Sequence, residues 1–294
     1  MLKRKKLNIH QCSLFLWSIA RFVIIFGLAF IILKPIYYKI SVAFMSQDDI
    51  LNPAVSLLPT GLSMEYWSSA LRQLKLPASL FQTFLVSLLA SVLQVIVATM
   101  VGYGLGRYKF KGSNLIFAAV ILFMIVPTDI TSTAQYVRFA FGIGGIKINI
   151  LETYWPLVIL AATGMNLKNG LYIYLMREFF RNMPGNLEEA AYVDGCGPIK
   201  AFISVIVPNA KGMMGTVFLF SFCWQWTEYD FAKMYYPSKQ LFGTILPKIT
   251  ELTKLETTVV QNAAGILIAI PIMILFLIFQ KTLVKSITLS GMAN

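Results

Sequence analysis

Charged side chains are scarce in this chain. Asp, Glu, Lys and Arg together supply 13% of its 294 residues, about half the roughly 25% of a soluble domain. That shortage excludes an ordinary water-facing globule. Histidine is nearly missing: His10 stands alone, which excludes a His-rich metal site. Three scattered cysteines (Cys12, Cys196 and Cys223) form neither a disulfide framework nor a zinc spacing. The run Gly-x-x-x-x-Gly-Lys-Ser/Thr occurs nowhere, so the chain lacks the phosphate loop needed to hydrolyse ATP itself. A membrane-embedded enzyme would need a convergent catalytic set, and no metal or nucleophile constellation is visible. An autonomous secondary carrier would carry internal repeats, and none is found.

What is present is apolar. Hydrophobic residues make up 57% of the chain, and its mean hydropathy is +0.70. A membrane-spanning helix needs about 20 such residues. Six runs qualify, at about 14–38, 82–104, 114–136, 155–177, 213–233 and 259–281. The expected fold class is therefore an all-α membrane protein with six transmembrane helices, forming one membrane domain over 1–294. The first run holds Arg21 and Lys34, whose stems reach the interfaces from its ends. It follows Lys3-Arg4-Lys5-Lys6 and is too long for a signal h-region, so it is read as a retained span.

The net charge of +12 does not indicate nucleic acid, because the basic residues sit at span ends rather than on one soluble face. One side gathers Lys3 to Lys6, Arg107, Lys109, Lys111, Arg177, Arg181, Lys200, Lys211, Lys281 and Lys285. The opposite loops mix their Lys and Arg with Asp48, Asp49, Glu65, Glu152, Glu251 and Glu256. The first side is expected in the cytoplasm with both termini, which gives a multi-pass protein of the cell membrane. The outer segment 46–81 carries Pro53, Pro59 and Pro77 around Tyr66-Trp67. It reads either as an interfacial helix with its aromatic rings among lipid headgroups or as a docking ledge for an external partner.

Between the fourth and fifth runs lies a short charged loop, 182–211. Pro184 can open a helix, and Glu188 and Glu189 then fall near its positive end. Ala190 and Ala191 make a slim face, and Gly195 and Gly197 permit a reversal. Ile199, Phe202, Ile203 and Ile206 follow as a second amphipathic helix, ahead of Pro208. The expectation is a helix–turn–helix along the membrane, presenting a small-residue knuckle to the cytosol.

Glu189-Ala190-Ala191, Asp194, Gly195, Val205, Val207 and Pro208 together resemble the signature of the membrane subunits of ABC importers. Gly102 to Gly112, Met124 to Pro127 and Phe279 to Thr288 look like the corresponding segments of carbohydrate, maltose-type permeases. The last of these looks like the end of the smaller of their two permeases. Gly212 departs from the pattern, where many relatives have a second proline. The resemblance implies the ABC type I importer permease fold, with the loop as a coupling helix that docks on an ATPase. It implies that ATP and Mg belong to that partner and that no cofactor resides in this chain. The remaining partners it implies are a second permease, an external solute-binding protein, a carbohydrate cargo and membrane lipid.

Polar side chains at membrane depth need a reason. On a helix, Trp224 and Glu228 share a face with Gln225 beside them. An indole flanked by an amide and a carboxylate suits a sugar, though it equally suits an aromatic belt at the outer interface. By the resemblance, these three fall where the larger permease of the family binds sugar, and Leu167, Lys168 and Leu171 fall near the same level. Lys168 either meets a carboxylate on an acidic, uronate-type cargo or forms an internal ion pair with Glu228 or Asp129. A permease for a non-sugar solute fits the same loop.

Overall fold

The computed structural model describes residues 9–55, 57–142, 149–249 and 254–291. Lys3 to Lys6, Lys147 and Glu251, and the side chains of His10, Cys12, Asp129, Glu256 and Lys285, lie outside the described residues. In chain order the helices are α1 (Ile9–Ala43), α2 (Gln47–Leu51), α3 (Glu65–Gln73), α4 (Leu76–Arg107), α5 (Ser113–Ile125), α6 (Thr128–Phe141) and α7 (Trp155–Ala162). They continue with α8 (Asn169–Asn182), α9 (Asn186–Val193), α10 (Pro198–Ala201), a π-helical turn (Phe202–Ile206), α11 (Val207–Thr227), α12 (Asp230–Tyr235), α13 (Phe242–Ile249) and α14 (Lys254–Gly291). Among the described residues all regular structure is helical. The chain divides into two units, one formed by Met1–Leu71 and Thr250–Ile266, the other by Arg72–Ile249 and Leu267–Asn294.

In the first unit, α1 is apolar all round and exposed along its length from Leu14 to Tyr38, as a lipid-facing helix should be. The segment after it folds on itself. Ser46 and Asp49 cap α2 reciprocally, each accepting from the other's backbone N–H at 3.3 Å. Asp49 also accepts from the Thr60 hydroxyl at 2.5 Å. That bond holds its carboxyl below the usual carboxylate range. Trp67 donates its indole N–H to the Ala43 carbonyl at 3.0 Å, and Tyr66 is buried. Both aromatic residues sit on α3, and Trp67 ties it to the end of α1.

In the second unit, α4 packs against α7, α8 and α11, and α8 also packs against α5. Glycine makes the α4–α8 approach possible. A Cβ on Gly102 would stand 2.6 Å from Met176 Cβ, and one on Gly106 would stand 2.9 Å from the Arg177 carbonyl. Small residues four apart let two backbones meet in this way. Met176 and Phe180 fill the core beside them.

Among the described residues four helices are long and apolar enough to cross a membrane: Leu14–Ala43, Leu76–Arg107, Pro198–Thr227 and Thr258–Lys281. The expected span at 114–136 is bent by 98° between α5 and α6, and counting it makes five. The bend falls at Val126-Pro127, where proline forces the preceding residue into an extended backbone. The expected span at 155–177 is not one helix. It stops at Ala162 and restarts at Asn169, with Gly164 and Lys168 both at positive φ, +75° and +57°. The second helix expected in the 182–211 loop is not separate either. From Pro198 the chain runs through the π-turn into α11 as one 30-residue helix. Pro208 has no N–H for the Ser204 carbonyl and crowds it, and the turn just before it widens accordingly. The expected span at 213–233 ends at Thr227.

Candidate functional site

Two regions gather the residues singled out from the sequence. The first is the loop after α8. Arg107, at the end of α4, donates from Nε to Glu188 Oε1 at 2.9 Å. Its other nitrogens donate to the carbonyls of Met183 at 2.8 Å, Pro184 at 3.3 Å and Phe180 at 3.5 Å. Four acceptors on one guanidinium fasten the loop to α4. α9 then ends in a Schellman turn. Cys196 N–H donates to the Ala191 carbonyl at 2.9 Å, and Gly195 N–H donates to the Tyr192 carbonyl at 3.0 Å. Gly195 takes φ +79°, where a side chain would be strained.

The residues of this loop therefore do different things. Glu188 is half-buried and engaged by Arg107, whereas Glu189, Ala190 and Asp194 are exposed. Ala191 is buried beneath α9. Val193 and Ile199 flank the turn at 88% and 77% exposure, with Ile203 beyond them at 61%. Apolar side chains this bare mark a surface that something covers. Pro208 sits in the first turn of α11, at the π-turn.

The second region is a cavity of about 350 Å³. Three helix interruptions border it: Val126-Pro127, Met165 to Lys168, and Glu228 after α11. Irregular backbone at membrane depth persists only where protein buries it or water reaches it, so three such breaks around one space have a common cause. Gly170 lets α8 close against α5, since a Cβ there would lie 3.0 Å from the Val120 carbonyl.

Leu167, Lys168, Trp224 and Glu228 line this cavity together. The Lys168 ammonium lies 4.8 Å from the Trp224 ring centroid, within cation–π range. Glu228 accepts from the Phe231 N–H at 3.2 Å, so its carboxylate serves the start of α12. Among the described residues the ion pairs are Arg107–Glu188 and Arg177–Glu178, so Lys168 is not bridged to Glu228. The expected Lys168–Asp129 alternative involves a side chain outside the described residues.

Gln225 and Leu171 are not among the lining residues. Gln225 is buried on another side of α11, beside Thr83, Ser87 and Trp226. Gln225, counted from Pro208, lies within the continuous α11, one residue round from Trp224, and Leu171, counted back from Pro184, lies within the continuous α8. Asn166 also lines the cavity. It is 2% exposed, and its Nδ2 finds no hydrogen-bond partner among the described residues.

Sequence reasoning missed Gln94. It is 1% exposed in the middle of α4, donates Nε2 to the Leu167 carbonyl at 2.8 Å, and accepts from Ser221 Oγ at 2.6 Å. The signal was available: a lone amide between apolar and small residues in the middle of a span is expensive without partners.

The match to known proteins agrees with this geometry. Residues 94–289 match the family described as binding-protein-dependent transport system inner membrane component. The diacetylchitobiose uptake system permease protein DasC of Streptomyces coelicolor is 29% identical over 279 residues, covering 92% of this chain and 94% of that protein. The maltodextrin transport system permease protein MdxG of Bacillus subtilis is 29% identical over 211 residues, covering 71% and 73%. A chain from the crystal structure of a bacterial ABC transporter involved in import of the acidic polysaccharide alginate superposes with a TM-score of 0.75 at 21% identity, covering 92% of this chain and 97% of that one. This protein belongs to the binding-protein-dependent inner-membrane transport components and has the fold of an ABC importer permease.

Proposed function

We propose that the chain is the smaller of two permease subunits in an ATP-driven carbohydrate importer, acting as one permease domain with six membrane crossings and both termini in the cytoplasm. The cavity carries this reading: an indole half open to it (Trp224, 45% exposed), the unpartnered Asn166 amide and the carboxylate of Glu228 border one space. A sugar offers C–H faces to the indole and hydroxyls to the polar groups. The similar proteins of S. coelicolor and B. subtilis are, by their names, permeases for diacetylchitobiose and maltodextrin.

The energy comes from ATPase partners that hold the ATP and Mg. Their closure pulls on the loop of Glu189, Ala190 and Gly195 as a coupling helix. Glu189 supplies its free anion, because Glu188 is held by Arg107. A solute-binding protein delivers the cargo from outside. In the importer reconstituted with its partner permease, ATPases and binding protein, Glu189→Lys or Gly195→Pro cuts ATP-driven maltodextrin uptake at least about tenfold, a barrier change near 1.4 kcal/mol. Uptake at the unaltered rate in both variants would sink the coupling role. A binding protein that captures amino acids or peptides but no oligosaccharide would sink the sugar assignment.

Lys168 favours a second reading, in which the cargo is an acidic sugar. Its ammonium lies over the Trp224 face that a sugar would use, and a uronate carboxylate would draw it away. The fold neighbour belongs to an alginate importer. Lys168→Met then weakens oligogalacturonide uptake and spares maltodextrin, whereas equal loss of both removes the acidic reading.

A further inference from the structure

Gln94 holds two elements at once. Its amide N–H reaches the Leu167 carbonyl, freed where the helix breaks between α7 and α8, and its amide oxygen receives the Ser221 hydroxyl of α11. Three observations make this more than a patch for one carbonyl. α11 continues without interruption through the π-turn back to Pro198, three residues from the Gly195 turn. Leu167 precedes Lys168, and both line the cavity. Gln94 itself is 1% exposed, among the well-packed residues of α4. A displacement of α11 therefore meets a hydrogen bond of fixed length at Ser221 and a second at Leu167, with a rigid side chain between them. An apolar residue of similar size would let α11 slide past the loop and would leave the Leu167 carbonyl buried without a partner.

We infer that Gln94 is a positioning residue that passes the movement of α11 to the Leu167–Lys168 loop, so that the cavity changes shape when the loop at Gly195 is moved. This goes beyond the importer reading and rests on it. The bond uses the backbone carbonyl of Leu167, so the side chain there is free to report.

The test uses the assembled importer in nanodiscs, with Cys12, Cys196 and Cys223 replaced by Ser and Leu167→Cys as the reporter. The rate of labelling by a charged maleimide is compared between the nucleotide-free state and ATP with vanadate. With Gln94 present, the two rates differ by at least about fivefold. In Gln94→Leu the difference falls below about twofold while ATP hydrolysis per assembled complex continues, and Ser221→Ala falls between the two. A static role in packing would instead lower the yield of complex and leave the nucleotide-dependent difference intact. Should Gln94→Leu fail to assemble, Ser221→Ala decides. The full difference retained in Ser221→Ala and in any Gln94→Leu complex that forms overturns the link alone. A reporter with Gln94 intact that shows no nucleotide response overturns the importer reading and the link with it.

Discussion

At its Asn182 end, α8 lies against α4 with only glycine between the backbones. At its Asn169 end, it begins in a left-handed turn beside a cavity. The first end is closed: Met176 and Phe180 are wholly buried, and Arg107 satisfies three carbonyls there along with Glu188. The second end closes against α5 at Gly170 but borders the cavity and leaves polar groups unsettled. Asn166 and Asn169 carry buried amide atoms without partners among the described residues, and the Leu167 carbonyl depends on one amide from another helix. Close-packed interiors transmit displacement rather than absorb it. Segments with few apolar contacts and unsettled polar groups are the ones that rearrange. One helix thus joins a stiff attachment near the Gly195 loop to the border of the cavity.

The sharpest way to break this contrast is to add a single methyl group at the closed end. Gly102→Ala drives Cβ to 2.6 Å from Met176 Cβ, while Gly104→Ala meets nothing within 4 Å. Overpacking costs about 1–3 kcal/mol, and alanine for glycine in an open helical position gains up to about 1 kcal/mol. The two variants should move the thermal midpoint of the purified protein in opposite directions. Equal shifts would mean that α4 and α8 are not in glycine-mediated contact.

Next in size is the clamp. Arg107→Met strips four acceptors of their donor, three of them backbone carbonyls, whereas Glu188→Gln alters only one partner and leaves the carbonyl bonds in place. Removing one member of a buried pair costs about 3–5 kcal/mol and a solvent-exposed pair contributes about 0–1 kcal/mol. This pair, at 13% and 15% side-chain exposure, falls between those limits. Arg107→Met should therefore destabilise clearly more than Glu188→Gln in thermal unfolding. If the loop couples as proposed, the substitution should also raise the ATP consumed per cargo molecule, because the loop loses its anchor on α4. The reverse order would make the ion pair, rather than the carbonyl contacts, the fastening.

These two ends were not equally legible in the sequence. The loop could be read because its chemistry is local: Gly195 supplies the positive φ of a Schellman turn, Glu188 and Glu189 fall in the first turn of α9, and Pro208 marks the π-turn. Long apolar runs likewise announced α1, α4, α11 and α14. The cavity end could not be read in the same way. The run 155–177 is apolar enough to cross, and what holds it open at 163–168 is distant: Gln94 lies 73 residues away in sequence from the carbonyl it satisfies. Gln225 and Leu171 share helices with lining residues yet do not line the cavity themselves. Trp224 and Glu228 still meet at the cavity even though α11 ends between them at Thr227.

The smallest expected effect separates two roles of Lys168, its backbone and its charge. Its φ of +57° strains any side chain, at about 1–2 kcal/mol for a left-handed residue. The cation–π contact over Trp224 returns about 0.5–1 kcal/mol. Lys168→Gly relieves the strain and loses the contact, so it should be close to neutral for stability. Lys168→Met keeps the strain and loses the contact, so it should fall below Lys168→Gly by about 1 kcal/mol. Thermal midpoints of the two variants, measured side by side, check the order. If Lys168→Met is the more stable, the left-handed turn is not what opens this end of α8, and the contrast with the glycine-packed end loses its backbone cause.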